Sequence, residues 1–216
     1  MSNLVHGHHV AGAKLDTSAP IAGPFPFEPF PKIARLRREC VITEKIDGTN
    51  ASITIEAFDD GDFGVYPASR TRWIDIEHDN MGFAAWCVEH AQELKTLGVG
   101  THFGEWWGSG IQRTYKQDRK RFSLFNTARW GDLPNELAVG IRNPARPACC
   151  DVVPVLYQGL YSDQYVQAAL DNLADYGSRA APGFRDPEGI VVFMAASRSL
   201  YKVTLKNDEK PKGSTE

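Results

Sequence analysis

Two short runs in which apolar and polar residues alternate, Cys40-Val41-Ile42-Thr43-Glu44-Lys45-Ile46 and Ala51-Ser52-Ile53-Thr54-Ile55-Glu56-Ala57-Phe58, flank the tetrad Asp47-Gly48-Thr49-Asn50. Side chains alternate across a strand, so period two marks each run as a strand with one packed face, and the Asp-Gly between them predicts a hairpin. The chain returns to this pattern near its end, in Gly189 to Met194 and Leu200 to Leu205, joined through Ala195 to Ser199. Between these strand pairs the period changes to that of a helix. One helix is expected near Asp79 to Leu97, capped by Asp79 or Asn80, with Phe83, Trp86, Cys87, Ala91 and Leu94 as its apolar stripe and Gly98 as its stop. A second is expected from Ser162 to Tyr176, where Val166, Ala169, Leu170 and Leu173 share a face and Gly177 ends it.

A chain of 216 residues, 42% hydrophobic and 24% charged, can bury one sizeable core without disulfides or a structural metal. The expected organisation is a mobile N-terminal segment at 1–30, a folded domain at 31–206 and a polar tail at 207–216. The first of these carries His6, His8 and His9 and then Pro24-Phe25-Pro26-Phe27-Glu28-Pro29-Phe30-Pro31, whose prolines favour an extended strip laid on the surface by its phenylalanines. No run approaches the roughly 20 apolar residues of a membrane span, and the N-terminus lacks the pattern of an export signal. Cys40, Cys87, Cys149 and Cys150 have no paired spacing, which points to free thiols in a reducing, cytoplasmic setting. The net charge of −3 argues against wholesale attraction to nucleic acid. The cations are nevertheless gathered, in Lys32, Arg35, Arg37 and Arg38 and again in Arg113, Lys116, Arg119, Lys120 and Arg121. Such runs serve either as solvated faces or as a track for phosphates.

Several chemistries are excluded by the absence of their signatures: there is no G-x-x-x-x-G-K-[ST], no G-x-G-x-x-G after a strand, no H-E-x-x-H and no C-x-x-C. What remains is Glu44-Lys45-Ile46-Asp47-Gly48-Thr49-Asn50, in which Asp47 falls on the same strand face as Lys45 and Gly48 permits a tight turn and a close approach of a phosphate to backbone. The same seven residues also suit an exposed hairpin tip. Further along come Ser69-Arg70-Thr71, Phe103-Gly104-Glu105-Trp106, Arg121-Phe122-Ser123-Leu124-Phe125, Asp186-Pro187-Glu188-Gly189-Ile190-Val191 and Leu200-Tyr201-Lys202-Val203-Thr204-Leu205-Lys206, in that order.

The ordered set resembles the covalent nucleotidyltransferase superfamily of DNA ligases, RNA ligases and mRNA-capping enzymes, and covers about Pro31 to Leu205. With Asn50 where DNA ligases and capping enzymes more usually carry Arg, it is most similar to the nick-sealing RNA ligases typified by a phage T4 enzyme. The resemblance implies an α+β, ATP-grasp-like nucleotidyltransferase domain of two antiparallel sheets with flanking helices and a nucleotide cleft between them. It also implies a three-step reaction with ATP as AMP donor and Mg²⁺ or Mn²⁺ as metal: adenylylation of Lys45, transfer of AMP to an RNA 5′-phosphate, and attack of a 3′-hydroxyl with loss of AMP.

Roles follow from the same resemblance. Lys45 is the nucleophile and Lys202 neutralises the α-phosphate and leaving pyrophosphate, with Asp47 and Glu188 completing the catalytic set. Asp47, Glu105 and Glu188 would hold the metal, and Glu105 also reaches the ribose. Phe122 stacks on adenine while Phe125 points into the core. Glu44, facing away from Lys45 on its strand, is placed at the adenine edge, and Asn50 and Arg70 near ribose and phosphates. An unperturbed lysine, with a pKa of ~10.4, is protonated near neutrality, so a cationic setting of metal and Lys202 is required to free its amine. Arg113, Lys116, Arg119 and Lys120, lying between the Glu105 and Phe122 motifs, would track an RNA backbone. Tyr115 among them suits base contact or packing alike, and Trp106 and Trp107 suit core or cleft wall.

Two positions depart from the pattern. Thr204 stands where a second lysine is usual, so that either Lys206 substitutes or one phosphate contact is missing, and Asp47 stands where the phage branch has histidine. The rival readings are a DNA ligase or GTP-dependent capping-type enzyme, and a non-catalytic nucleotide- or RNA-binding module of the same fold. The last motif falls so near the end of the sequence that a catalytic domain alone is expected, monomeric, and relying on a partner or its own basic loop to hold RNA.

Overall fold

The computed structural model describes residues 26, 28–33, 38–133 and 140–206. The expectations for the histidine leader, for Phe25, Phe27, Arg35 and Arg37, and for the tail at 207–216 lie outside the described residues.

From Arg38 on, nine strands and four helices are described. Strands β1 (Glu39–Lys45), β7 (Val155–Leu160), β8 (Gly189–Met194) and β9 (Ser199–Thr204) form an antiparallel sheet in the order β7-β1-β8-β9. Strands β2 (Thr49–Ala57), β3 (Phe63–Ser69), β4 (Gly100–Gly108), β5 (Lys120–Leu124) and β6 (Cys150–Val152) form the other, in the order β3-β2-β4-β5-β6. It is antiparallel except for the β5–β6 pair, which is parallel. This is the expected α+β architecture of two sheets with flanking helices.

The first two runs are strands, but they are not a hairpin. β1 is flanked by β7 and β8, and β2 by β3 and β4, so neither has an edge left for the other. The tetrad carries the chain from one sheet into the next. Ile46 is buried in a small core with Trp107, Tyr115, Val153, Ala181 and Phe184, which draws on segments adjoining both sheets. A Cβ on Gly48 would lie 2.5 Å from the Trp106 carbonyl oxygen and 2.8 Å from Trp107 Cβ. Glycine is required there because the crossing presses against β4.

The helix expected at 79–97 is broken. Helix α1 (Phe83–Glu89) ends at His90 (φ −103°, ψ 16°), and α2 (Ala91–Leu94) with a 3₁₀ turn (Lys95–Leu97) follows. Asp79 caps it from a distance, accepting from the Ala84 (2.7 Å) and Ala85 (3.2 Å) amides. Phe83, Cys87, Leu94 and Leu97 pack with Ile53, Trp106 and Phe122 on one face of the five-stranded sheet. Short α3 (Thr127–Trp130) is capped by Asn126. Helix α4 (Asp163–Tyr176) is capped by Ser162 and stopped at Gly177 as the sequence predicts, and lays Ala169 and Leu173 on Cys40, Ile42, Ile190 and Val192 of the four-stranded sheet. All four cysteines are free thiols, and no helix among the described residues is long and apolar enough to cross a membrane.

Candidate functional site

Alternation along β1 sends Cys40 and Ile42 towards α4, and Glu44 with them, so Lys45 emerges on the opposite face. Its Nζ lies 2.5 Å from Glu188 Oε2, and only 21% of the lysine side chain and 4% of the glutamate's are exposed. Lys45 stands opposite Gly189 of β8, which stands opposite Thr204 of β9. Gly189 keeps that row open: its φ of +154° and a Val203 carbonyl only 2.2 Å from any Cβ admit no side chain. Lys202 is on the same face as Thr204, exposed, and paired with Val191.

Glu105 approaches from the other sheet. On β4 it alternates with Trp106, whose indole joins the core, and its Oε1 accepts the Gly48 amide at 3.1 Å. Burial pushes its carboxyl up to about 7; Lys45 and the Gly48 amide pull the other way, and Glu188 and Asp47 raise it further. Asn50 pairs with Glu105 across the β2–β4 ladder. Asp47 is buried; its amide donates to Tyr115 Oη (2.8 Å) and its Oδ2 accepts from Arg113 Nε (3.0 Å). Glu188 thus contacts Lys45 and Glu105 feels its charge, while the Asp47 carboxylate is held by Arg113; the three carboxylates do not all come within 4.8 Å of one another.

Four expectations are corrected. Phe122 is 0% exposed, in the core against Phe83 (ring centroids 5.0 Å) and Trp86 (5.8 Å), and cannot stack on a nucleotide. The aromatic available is Phe125, 38% exposed, which leaves β5 on the Ser123 side and donates its amide to the Phe103 carbonyl. Phe103 shares a β4 face with Glu105 and is itself exposed. Glu44 does face away from Lys45, but its carboxylate is 1% exposed and fully engaged: Oε1 accepts from Ser178 Oγ (2.5 Å), and Oε2 from the amides of Arg179 (2.7 Å) and Ala180 (2.9 Å). It fastens the loop after α4 to β1 instead of meeting an adenine edge. Burial raises its pKa, and the hydrogen bonds partly offset that.

Arg113 is not a free cation on a nucleic-acid track. It binds Asp47, Asp186 Oδ2 (3.0 Å) and the Asp186 carbonyl (2.9 Å) inside the site. Lys206 lies beyond the end of β9 and is held by Asp186 Oδ1 at 2.7 Å, so it does not continue the row of Lys202 and Thr204. Lys206, then Arg113, hold the Asp186 carboxyl below its ordinary range. Arg70, Lys116 and Arg119 are exposed, and Lys120 is exposed with its Nζ on the Met81 carbonyl (2.8 Å).

Asp186 and Ser178 contact site residues without having been singled out from the sequence, and Tyr115, open there to base contact or packing, is packed. Asp186 lay inside a recognised motif, and Ser178 directly follows a helix stop. Tyr115 is fully buried, and it sits in a left-handed stretch (φ +55° at Thr114, +52° at Tyr115, +53° at Lys116) that no residue type there announces.

The profile of the family described as RNA ligase matches residues 38–205. Among solved structures, a Naegleria gruberi RNA ligase variant with ATP and Mn superposes with a TM-score of 0.51 at 17% identity, over 77% of this chain and 49% of that one. Another with AMP and Mn gives the same values, and an apo variant gives 0.50 at 18%. The likeness establishes the fold, and the chain spans about half the length of these relatives. No curated protein matches.

Proposed function

Because the chain belongs to the RNA ligase family, we propose that it joins RNA 3′-hydroxyl and 5′-phosphate ends with ATP as AMP donor and Lys45 as nucleophile. The observation that carries this reading is the Lys45 ammonium, held by Glu188 on its own sheet and faced by Glu105 from the other. The ATP, AMP and Mn of the Naegleria gruberi structures support the choice of donor and metal. Glu188 and Glu105, with Asp47 behind them, would hold Mg²⁺ or Mn²⁺, which supplies charge neutralisation on the triphosphate. The donor set fits: burial raises Glu105 to about 7, Glu188 and Asp47 add to that, and a cation bound there would offset both.

In the resting protein the Lys45 Nζ lies against the Glu188 carboxylate at 2.5 Å. Once Glu188 is drawn elsewhere, Lys45 sheds its proton to solvent and attacks the α-phosphorus. A P–N bond forms as the P–O bond to pyrophosphate breaks, and Lys202 offsets the charge on the departing group. An RNA 5′-phosphate oxygen then takes the AMP, breaking the P–N bond and returning Lys45. Finally an RNA 3′-hydroxyl loses its proton and attacks that 5′-phosphorus, forming the phosphodiester and expelling AMP. Phe125 offers its ring to the adenine, and Asn50 and Arg70 serve ribose and phosphates. Lys116, Arg119 and Lys120 supply the exposed cations for the RNA backbone.

Intact mass after incubation with ATP and Mg²⁺ tests the nucleophile. The wild type should gain one AMP and Lys45→Ala none. No adduct on wild type stripped of prior AMP sinks the enzymatic reading, and an adduct on the alanine variant moves the nucleophile elsewhere. GTP in place of ATP separates a capping-type enzyme, and nicked duplexes with RNA or DNA at the 3′-hydroxyl side separate RNA from DNA joining.

A further inference from the structure

On the face of the five-stranded sheet opposite Glu105, the break between α1 and α2 places His90 beside Glu93, and the segment entering β6 brings Cys149 against both. An imidazole nitrogen of His90, a Glu93 carboxylate oxygen and Cys149 Sγ all lie within 4.8 Å of one another. Their orientation is set by surrounding contacts. His90 Nδ1 is 2.9 Å from Glu93 Oε1, the Cys149 amide donates to Glu93 Oε2 at 3.0 Å, and the Trp86 ring packs on the imidazole with centroids 5.0 Å apart. A cavity of about 460 Å³, bordered by His90, Cys149, Trp86, Arg119 and Asp151, opens beside the cluster.

We propose that His90, Glu93 and Cys149 form a zinc site, separate from the ligation centre, whose fourth position opens to the cavity. Imidazole, carboxylate and thiolate together match the ligand types that zinc accepts, and thiolate excludes Mg²⁺ as the preferred ion. Ligand atoms on a tetrahedral zinc sit roughly 3.5 Å apart, so side-chain rotation suffices to close the set. Binding exchanges one proton, that of the Cys149 thiol, for a Zn–S bond, with no change of oxidation state. The ion would clip α1 and α2 to the strand entry, beneath the core that positions β4 and β5.

Cobalt reports on such a site without reference to ligation. In chelator-treated, reduced protein, Co²⁺ should give a near-ultraviolet thiolate charge-transfer band that saturates at one equivalent and is displaced by Zn²⁺. Cys149→Ser should abolish the band, while His90→Ala and Glu93→Gln should weaken Co²⁺ binding at least about tenfold. Cys40→Ser, in the other core, should leave it unchanged. Zn²⁺ should raise the Tm of wild type but not of Cys149→Ser, with metal-free Tm values confirming that each variant is folded. No band at stoichiometric Co²⁺, or one that persists undiminished in the Cys149, His90 and Glu93 variants, overturns the site and leaves His90 and Glu93 as an ordinary hydrogen-bonded pair.

Discussion

Exchanging the roles of Phe122 and Phe125 gives a quantitative test. Phe122 is completely enclosed, with Phe83 and Trp86 rings at 5.0 and 5.8 Å and Trp106 opposite it in the β4–β5 ladder. Truncating such a phenylalanine to alanine costs about 3–5 kcal/mol in lost burial and cavity formation. In a domain of this size that lowers Tm by roughly 6–20 °C. Phe122→Leu, which keeps most of the volume, should lose less than half of that and stay folded at room temperature. Phe125 is 38% exposed and not among the buried core residues, so Phe125→Ala should cost clearly less stability than Phe122→Ala. Its effect belongs to the ligand. Loss of a base stack costs about 1–3 kcal/mol, or roughly 5–150-fold in affinity. Thermal unfolding and equilibrium ATP titration on the two variants separate these effects. Phe122→Leu should melt early but bind ATP like wild type, and Phe125→Ala should melt near wild type and bind weakly. If Phe125→Ala binds ATP normally while folded Phe122→Leu does not, the assignment of faces on β5 is wrong.

Three further outcomes are expected. Glu105, carried from 4.5 to about 7, gives up its proton later in the native than in the unfolded chain, so stability should fall as pH rises between those values and level off above; at pH 8 in EDTA, Glu105→Gln should recover up to about 3 kcal/mol of this, and an unchanged or lowered Tm would contradict the burial argument. Gly48→Ala drives a methyl to 2.5 Å from the Trp106 carbonyl and should lower stability by about 1–3 kcal/mol, read as a lower urea midpoint with the slope unaltered. Arg113→Ala should lower Tm and AMP adduct formation with little change in the salt dependence of RNA binding, whereas Lys116→Ala and Arg119→Ala should leave the adduct intact and reduce the slope of log affinity on log salt by about one each.

The strands, α4 with its caps, and the order of the motifs were legible because each depends on neighbours within a few residues. Partner choice was not. Asp47-Gly48 has the chemistry of a tight turn, yet whether the strands it joins pair with each other is decided by β4, β7 and β8, which follow much later in the chain. The misassigned aromatic was readable: Phe122 and Leu124 share one face and Arg121 and Ser123 the other, so Phe125 falls with the polar set. Glu44 was not readable, because its partners are 134 to 136 residues away and two of them are backbone amides, which no residue type announces. Arg113 was misread for a related reason. A cation in a basic run has no local sign that two acids at 47 and 186 will claim it.

The crossing between the sheets ties the motif around Lys45 to the rest of the molecule. Lys45 is the last residue of β1, Ile46 is locked in the bridging core, Asp47 is gripped by Tyr115 and Arg113, and Gly48 is pressed on β4 and bonded to Glu105. Four consecutive residues thus each contact a different part of the molecule. Any shift of one sheet against the other moves Glu105 relative to Lys45, while Glu188, the residue before the strand beside β1, moves with it. The lysine is therefore contacted by one acid next to its own strand, and faced by another whose position depends on how the sheets sit. In the proposed reaction the first contact must loosen and the second persist when the nucleotide enters. A cleft closing across the bridging core changes the Glu105 distance without disturbing Glu188, so access to the neutral amine depends on charge brought by the nucleotide and its cation and not on closure alone.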